Sequence, residues 1–118
     1  MIILATHEPR YVALVNAFPV LGGRLGGVSR LAPAPGVSSE SVNLELLDAW
    51  AAGEDVYTGE RGPFPGDGAK QAASFVLRLW NSKHEWKSPA FDLFKALRVW
   101  DDQQRSVFQS WTIKPFLP

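Results

Sequence analysis

Two histidines stand directly before glutamates, at His7–Glu8 and at His84–Glu85. Imidazole and carboxylate groups bind zinc, but the zinc-protease motif places two histidines one helical turn apart. The two pairs lie far apart in this chain, and the chain contains no cysteine. The sequence therefore predicts no metal site, and we expect neither a metal nor another cofactor.

Nucleophilic catalysis needs a serine or cysteine positioned beside a base. The chain lacks the Gly-x-Ser-x-Gly elbow, and Ser82 and Ser88 flank His84 only as loop neighbours. The acidic pair Asp101–Asp102 is better explained as a helix N-terminus, where carboxylates interact with the helix dipole. A non-enzymatic protein is therefore favoured, although a tertiary fold can assemble acid–base pairs that a sequence does not reveal.

The glycine-rich segment 22–27 resembles a phosphate-binding loop only in composition. A P-loop continues with lysine and then serine or threonine, whereas Val28, Ser29 and Arg30 follow here. We therefore interpret the segment as a surface loop.

Cations and a large aromatic side chain alternate over residues 83–87, and further cations follow one helix later. This pattern is typical of surfaces that pair with phosphates and stack on bases. The protein as a whole has zero net charge, whereas nucleic-acid-binding domains usually carry a basic excess. A nucleic-acid-associated accessory protein is accordingly the second, less favoured hypothesis.

The length of 118 residues and the hydrophobic fraction of 46% fit one globular domain, residues 1–118. Neither a signal peptide nor an apolar stretch long enough for a membrane helix is visible, so we expect a cytoplasmic protein without a membrane partner.

Apolar periodicity predicts a mostly α fold, a compact bundle of four to five short helices with a small N-terminal strand element. An α+β fold with an N-terminal hairpin is the alternative. Four helices are predicted over 41–52, 69–81, 89–99 and 102–113, and a fifth over 9–18, where strand propensity competes.

The helical stripes also predict which side chains are buried. In the 41–52 helix the predicted apolar face consists of Val42, Leu46, Ala49 and Trp50. In the other three helices the predicted core positions are Phe75, Val76, Leu79, Phe94, Leu97, Phe108 and Trp111.

Several large apolar residues lie outside these stripes, namely Phe64, Trp86, Phe91, Phe116 and Leu117. Residues 1–67 also carry an acidic excess and residues 68–118 a basic excess, which can guide association. These features favour a protein-binding or regulatory module that contacts another protein or itself, with a homodimer as the expected oligomer. The candidate interaction surface comprises Lys83, His84, Trp86, Lys87, Phe91, Lys95, Arg98, Phe116 and Leu117.

Overall fold

A computed structural model of the protein describes residues 5–22, 34–54 and 66–118. Helices make up 59% of these residues and strands 5%, which confirms the mostly α fold with a small strand element. The elements are β1 (Ala5–Thr6), α1 (Pro9–Ala17), α2 (Pro19–Gly22), β2 (Val42–Asn43), α3 (Leu44–Ala51), α4 (Asp67–Trp80), α5 (Leu93–Val99) and α6 (Asp102–Ile113). The glycine-rich segment beyond Gly22, and Phe64, lie outside the described residues.

Polar side chains cap the beginnings of α1, α3, α5 and α6 by accepting hydrogen bonds from free backbone N–H groups. Glu8 accepts from the amide of Tyr11 at 2.9 Å, and Pro9 occupies the first position of α1. Asp101 accepts from the amide of Gln104 at 2.9 Å, as the sequence predicts for α6. The cap of α3 is Asn43, which accepts from the amide of Leu46.

The two strands join the N-terminal segment to the start of α3. They pair antiparallel, with Ala5 opposite Asn43 and Thr6 opposite Val42. The carbonyl of Gly36 accepts from the Asn43 amide at 2.6 Å, and Gly36 adopts a φ of 84° that side chains other than glycine rarely tolerate. This turn fixes where β2 ends and α3 begins.

Helix α4 lies at the centre of the fold and packs against α2, α3 and α5. Aromatic rings fill the space at one end of it. Trp100 is buried between Phe18 and Phe108, with ring centroids 5.5 and 5.7 Å away. Phe75 makes an edge-to-face contact with Phe108 at 5.1 Å. These rings therefore form one aromatic cluster in the core.

The predicted core is correct for Phe75 and Val76 and wrong for Phe94 and Leu97. Leu79, Phe108 and Trp111 are half-buried. Phe94 is 76% exposed and Leu97 43% exposed. Helix α5 begins at Leu93 with Asp92 as its cap and not near residue 89. Ala96 faces the core, because Phe91 in the segment before the helix and Trp100 after it fill the adjacent space.

The predicted apolar face of α3 is correct only in part. Val42 is buried but lies in β2, Ala49 and Trp50 are half-buried, and Leu46 is 41% exposed. The buried residues of the helix are Leu44, Leu47, Asp48 and Ala51. Their spacing is helical, but the set includes the carboxylate of Asp48. Hydrophobic periodicity predicts that a charged residue faces solvent, so it does not find this set.

The orientation of α5 predicts that alanine substitution destabilises the protein at Phe91 but hardly at Phe94. Phe94→Ala is expected to change the free energy of unfolding by less than about 0.5 kcal/mol, because the side chain is largely exposed. Phe91→Ala should cost about 2 kcal/mol, because its ring packs on Phe75 and Trp100. Urea denaturation of both variants measures the difference, and equal losses would contradict this orientation of α5.

Tyr11 predicts a loss of stability at alkaline pH. Its hydroxyl is buried and donates to the Val76 carbonyl at 2.6 Å, and burial raises the pKa of the Tyr11 phenol. The unfolded chain releases this proton near pH 10 and the folded chain does not, so stability falls above about pH 10, by up to about 1.4 kcal/mol per pH unit. Denaturant titrations of wild type and Tyr11→Phe should diverge by this slope. If the free energy of unfolding depends on pH in the same way for both proteins, groups other than Tyr11 cause the alkaline loss of stability.

Candidate functional site

Helix α5 presents an apolar surface to solvent. Leu93, Phe94 and Leu97 are 38%, 76% and 43% exposed. They occupy positions i, i+1 and i+4, so they form one continuous strip, called here the α5 face. Monomeric proteins commonly expose single apolar residues, whereas a cluster on one face marks a contact surface.

Two cations border the α5 face. Lys95 and Arg98 are exposed, and within the described residues neither forms an ion pair. Arg98 follows Phe94 by one helical turn and Lys95 by three residues, so the two cations lie next to each other beside Phe94. Asp92 is occupied as the cap of α5, accepting from the Lys95 amide at 3.1 Å. The α5 face therefore has a basic rim, consisting of Lys95 and Arg98.

The aromatic side chain of the predicted cation cluster packs on its own chain. The Trp86 indole donates to the Asn81 carbonyl at 2.9 Å, and its ring lies 6.2 Å from Trp80 and 4.4 Å from His84. Trp86 is half-buried, while Lys83 beside it is exposed. These contacts hold the Trp86 ring in place at the surface, where part of the ring remains accessible to solvent.

The Trp86 segment is anchored on α3 by a buried carboxylate. Asp48 accepts hydrogen bonds from the backbone amides of Lys87 and Ser88 at 2.9 and 3.0 Å, and from the Ser88 hydroxyl at 2.8 Å. Arg78 of α4 donates to the Ser88 hydroxyl and carbonyl at 3.0 and 2.6 Å. Desolvation lowers the pKa of the Arg78 guanidinium, and the charge of Asp48 opposes that shift. This network joins residues 87–88 rigidly to two helices.

An acidic cleft of about 360 Å³ opens between α3 and this anchored segment. Leu46, Ala49 and Trp86 supply apolar walls, and Glu45 and Glu85 are exposed carboxylates without an ion pair within the described residues. The remaining residues that line the cleft are Asp48, His84 and Lys87. Lys87 is paired with Glu54 at 3.3 Å, and Asp48 is used by the network above. The cleft therefore combines apolar walls with unpaired negative charge.

The other predicted interaction residues lie elsewhere. Phe91 packs in the aromatic core. Phe116 folds back, with its carbonyl accepting from the Trp111 indole at 3.2 Å and the Arg10 guanidinium 4.8 Å above its ring. Leu117 is 79% exposed beside it. The nine candidate residues thus do not form one surface. Four of them lie in the segment 83–88 that Asp48 anchors on α3, namely Lys83, His84, Trp86 and Lys87.

Sequence reasoning missed the residues that carry these surfaces. An apolar stripe on a helix predicts a core position for the α5 face, but Phe91 and Trp100 fill that space instead. A sequence signal for the later start was present, since Asp92 is a good cap and lies three residues before Lys95, whose amide it accepts. No sequence signal marked Asp48 as buried, because its partners lie about forty positions away in the chain.

An activated serine and a metal site are two arrangements that could support catalysis. Ser88 is buried and bonded to a carboxylate and to Arg78, without an imidazole in the network. Within residues 5–22, 34–54 and 66–118, no three metal-binding side chains of the His, Cys, Asp and Glu types cluster together.

The fold and these surfaces define a small, mostly α-helical domain with an exposed apolar helix face. No protein-family model, curated protein sequence or solved structure matches the chain. None of the helices in the described ranges has the length and apolar character needed to cross a bilayer.

Proposed function

We propose that this protein is a non-enzymatic protein-binding or regulatory module. The observation that supports this proposal is the α5 face, where three large apolar side chains of one short helix face solvent. Exposing them costs hydration free energy, roughly 25 cal/mol per Å² of apolar surface, which a partner covering the face would recover. A phenylalanine at the centre and an arginine at the rim are residue types that often dominate binding energy.

A nucleic-acid-associated accessory role has less support. Lys95 and Arg98 could pair with phosphates, but the accessible part of the Trp86 ring lies in the acidic cleft and not on the α5 face. Carboxylates repel the phosphates that accompany a stacked base. Two carboxylates, Glu45 and Glu85, also border the cleft that Trp86 lines.

Site-specific photo-cross-linking in cells tests the protein-binding proposal. A photoreactive phenylalanine analogue at position 94 should yield a discrete protein adduct, because the native ring would lie at the centre of the contact. The same analogue at Gln109, an exposed position on α6, serves as the matched control and should yield none. Absence of a protein adduct at position 94 would contradict the proposal.

Binding of a labelled oligonucleotide distinguishes the second role. Phosphate contact should weaken steeply with salt, and Lys95→Ala with Arg98→Ala should reduce the slope. Under the protein-binding proposal we expect no salt-dependent oligonucleotide binding at micromolar protein. Tight, steeply salt-dependent binding would favour the nucleic-acid role instead.

A further inference from the structure

We propose that the partner of the α5 face is the acidic cleft of a second copy of this chain, so that copies associate head to tail. This inference rests on the protein-binding function proposed above and names its partner. The two surfaces use different residues, because the α5 face and its rim lie within 93–98 and the cleft is lined from 45–49 and 84–87. Each copy therefore carries both halves of the interface.

The two surfaces match in hydrophobic character. Phe94 is the most exposed residue of the α5 face. The cleft offers Leu46, Ala49 and the Trp86 ring as apolar walls around about 360 Å³. An aromatic anchor inserted into an apolar pocket is the usual centre of a protein interface, and a contact between two aromatic rings adds about 0.5–1.5 kcal/mol to burial.

The charges at the edges match as well. The basic rim, Lys95 and Arg98, has no ion pair within the described residues, and neither have Glu45 and Glu85 at the cleft. Insertion of Phe94 brings two free cations towards two free carboxylates. Lys87 also faces the cleft, but Glu54 already neutralises it. Opposite potentials favour this pairing and disfavour face-to-face contact between two basic α5 rims.

The whole chain shows the same polarity. Residues 1–67 contain 4 basic and 8 acidic residues, whereas residues 68–118 contain 8 basic and 4 acidic residues. The α5 face belongs to the basic half and α3 to the acidic half, while the other side of the cleft, residues 84–87, belongs to the basic half. A two-fold dimer through α5 would place like charges together, whereas head-to-tail association places the basic rim of one copy against Glu45 and Glu85 of the next.

Rigidity of the cleft favours binding. The Asp48–Ser88–Arg78 network fixes the segment that carries Trp86, and the indole is oriented by its bond to Asn81. A preformed pocket loses little conformational entropy when it is filled. Because the contact is heterologous, wild-type protein should form a closed ring or a growing chain rather than only a dimer.

Complementation between two variants tests the proposal. The face variant is Phe94→Asp, which leaves the cleft intact. The cleft variant is Glu45→Lys with Glu85→Lys, which leaves the α5 face intact. All three positions are exposed, so the fold should be unaffected. Sedimentation velocity at low salt should show concentration-dependent assembly of wild type, and about 10-fold or greater weakening in each variant alone.

An equimolar mixture of the two variants should form a heterodimer that does not grow further. One native face still meets one native cleft, while the second pair of surfaces is blocked. Gln109→Asp, an exposed change outside both surfaces, is the control and should assemble as wild type does.

Three outcomes would overturn head-to-tail pairing: a wild type that is monomeric at all concentrations, a mixture that stays monomeric, or a cleft variant that assembles normally. The last outcome would indicate a two-fold contact through α5. If wild type is monomeric while the cross-linker at position 94 captures a different protein, self-association fails and the protein-binding function stands. If no adduct forms either, both proposals fail.

Discussion

Trp100→Ala is expected to lower the free energy of unfolding by about 3–5 kcal/mol, a large share of the roughly 5–15 kcal/mol typical of a small domain. Trp100 is 1% exposed and is the largest fully buried side chain. Its ring contacts Phe18, Phe91 and Phe108 at 5.5–5.9 Å, so its removal leaves a cavity that three rings must fill. Urea denaturation followed by circular dichroism measures the loss.

Trp100→Phe separates the packing from the hydrogen bond. The indole donates to the Gly68 carbonyl at 3.0 Å, at the beginning of α4. Phenylalanine retains most of the volume and loses this donor, so we expect a loss of about 1–2 kcal/mol. If alanine and phenylalanine cost the same, the hydrogen bond and not the packing would be the dominant contribution.

Asp48→Ala is expected to destabilise the protein by about 3–5 kcal/mol, because the change leaves buried groups without partners. The amides of Lys87 and Ser88 and the Ser88 hydroxyl lose their acceptor. Arg78 loses the negative charge that offsets its desolvation. The substitution should also release the segment that carries Trp86, and hydrogen exchange at the amides of residues 86–88 should accelerate.

Asp48→Asn and Ser88→Ala are the matched controls. Asparagine keeps one acceptor oxygen and the size of the side chain, so about half of the alanine effect should remain. Ser88→Ala removes only the hydroxyl and should cost about 1 kcal/mol, since the Arg78 bond to the Ser88 carbonyl persists. A loss below about 0.5 kcal/mol for Asp48→Ala would show that water replaces the network.

The elements with strong local signals could be predicted from the sequence. Helix α4 is predicted within two residues at its start, because its apolar periodicity extends over several turns. Helices α1 and α6 begin at the residues that Pro9 and Asp101 indicate. Proline fixes its own backbone angle at the first helical position, and aspartate at the cap bonds to an amide three residues later. Both effects are local, so the sequence alone predicts where these helices begin.

The candidate surface could be predicted only in part. Lys95 and Arg98 remain exposed beside the α5 face, and His84 and Trp86 line the acidic cleft. Phe94, the centre of the proposed contact, was expected in the core. Amphipathic periodicity shows that a helix has an apolar side, but it does not tell whether the core or a partner covers that side.

Local sequence patterns are sufficient to predict a mostly α chain, five of its six described helices closely or approximately, and the uneven charge of its two halves. Which side of α3 and α5 faces inward depends on the tertiary structure. On α5, Phe91 and Trp100 occupy the core from outside the helix, so only Ala96 fits beneath it. On α3, a carboxylate is buried because distant amides and a hydroxyl satisfy it. Both choices depend on space and hydrogen-bond partners supplied by residues far away in the chain, which local patterns do not encode.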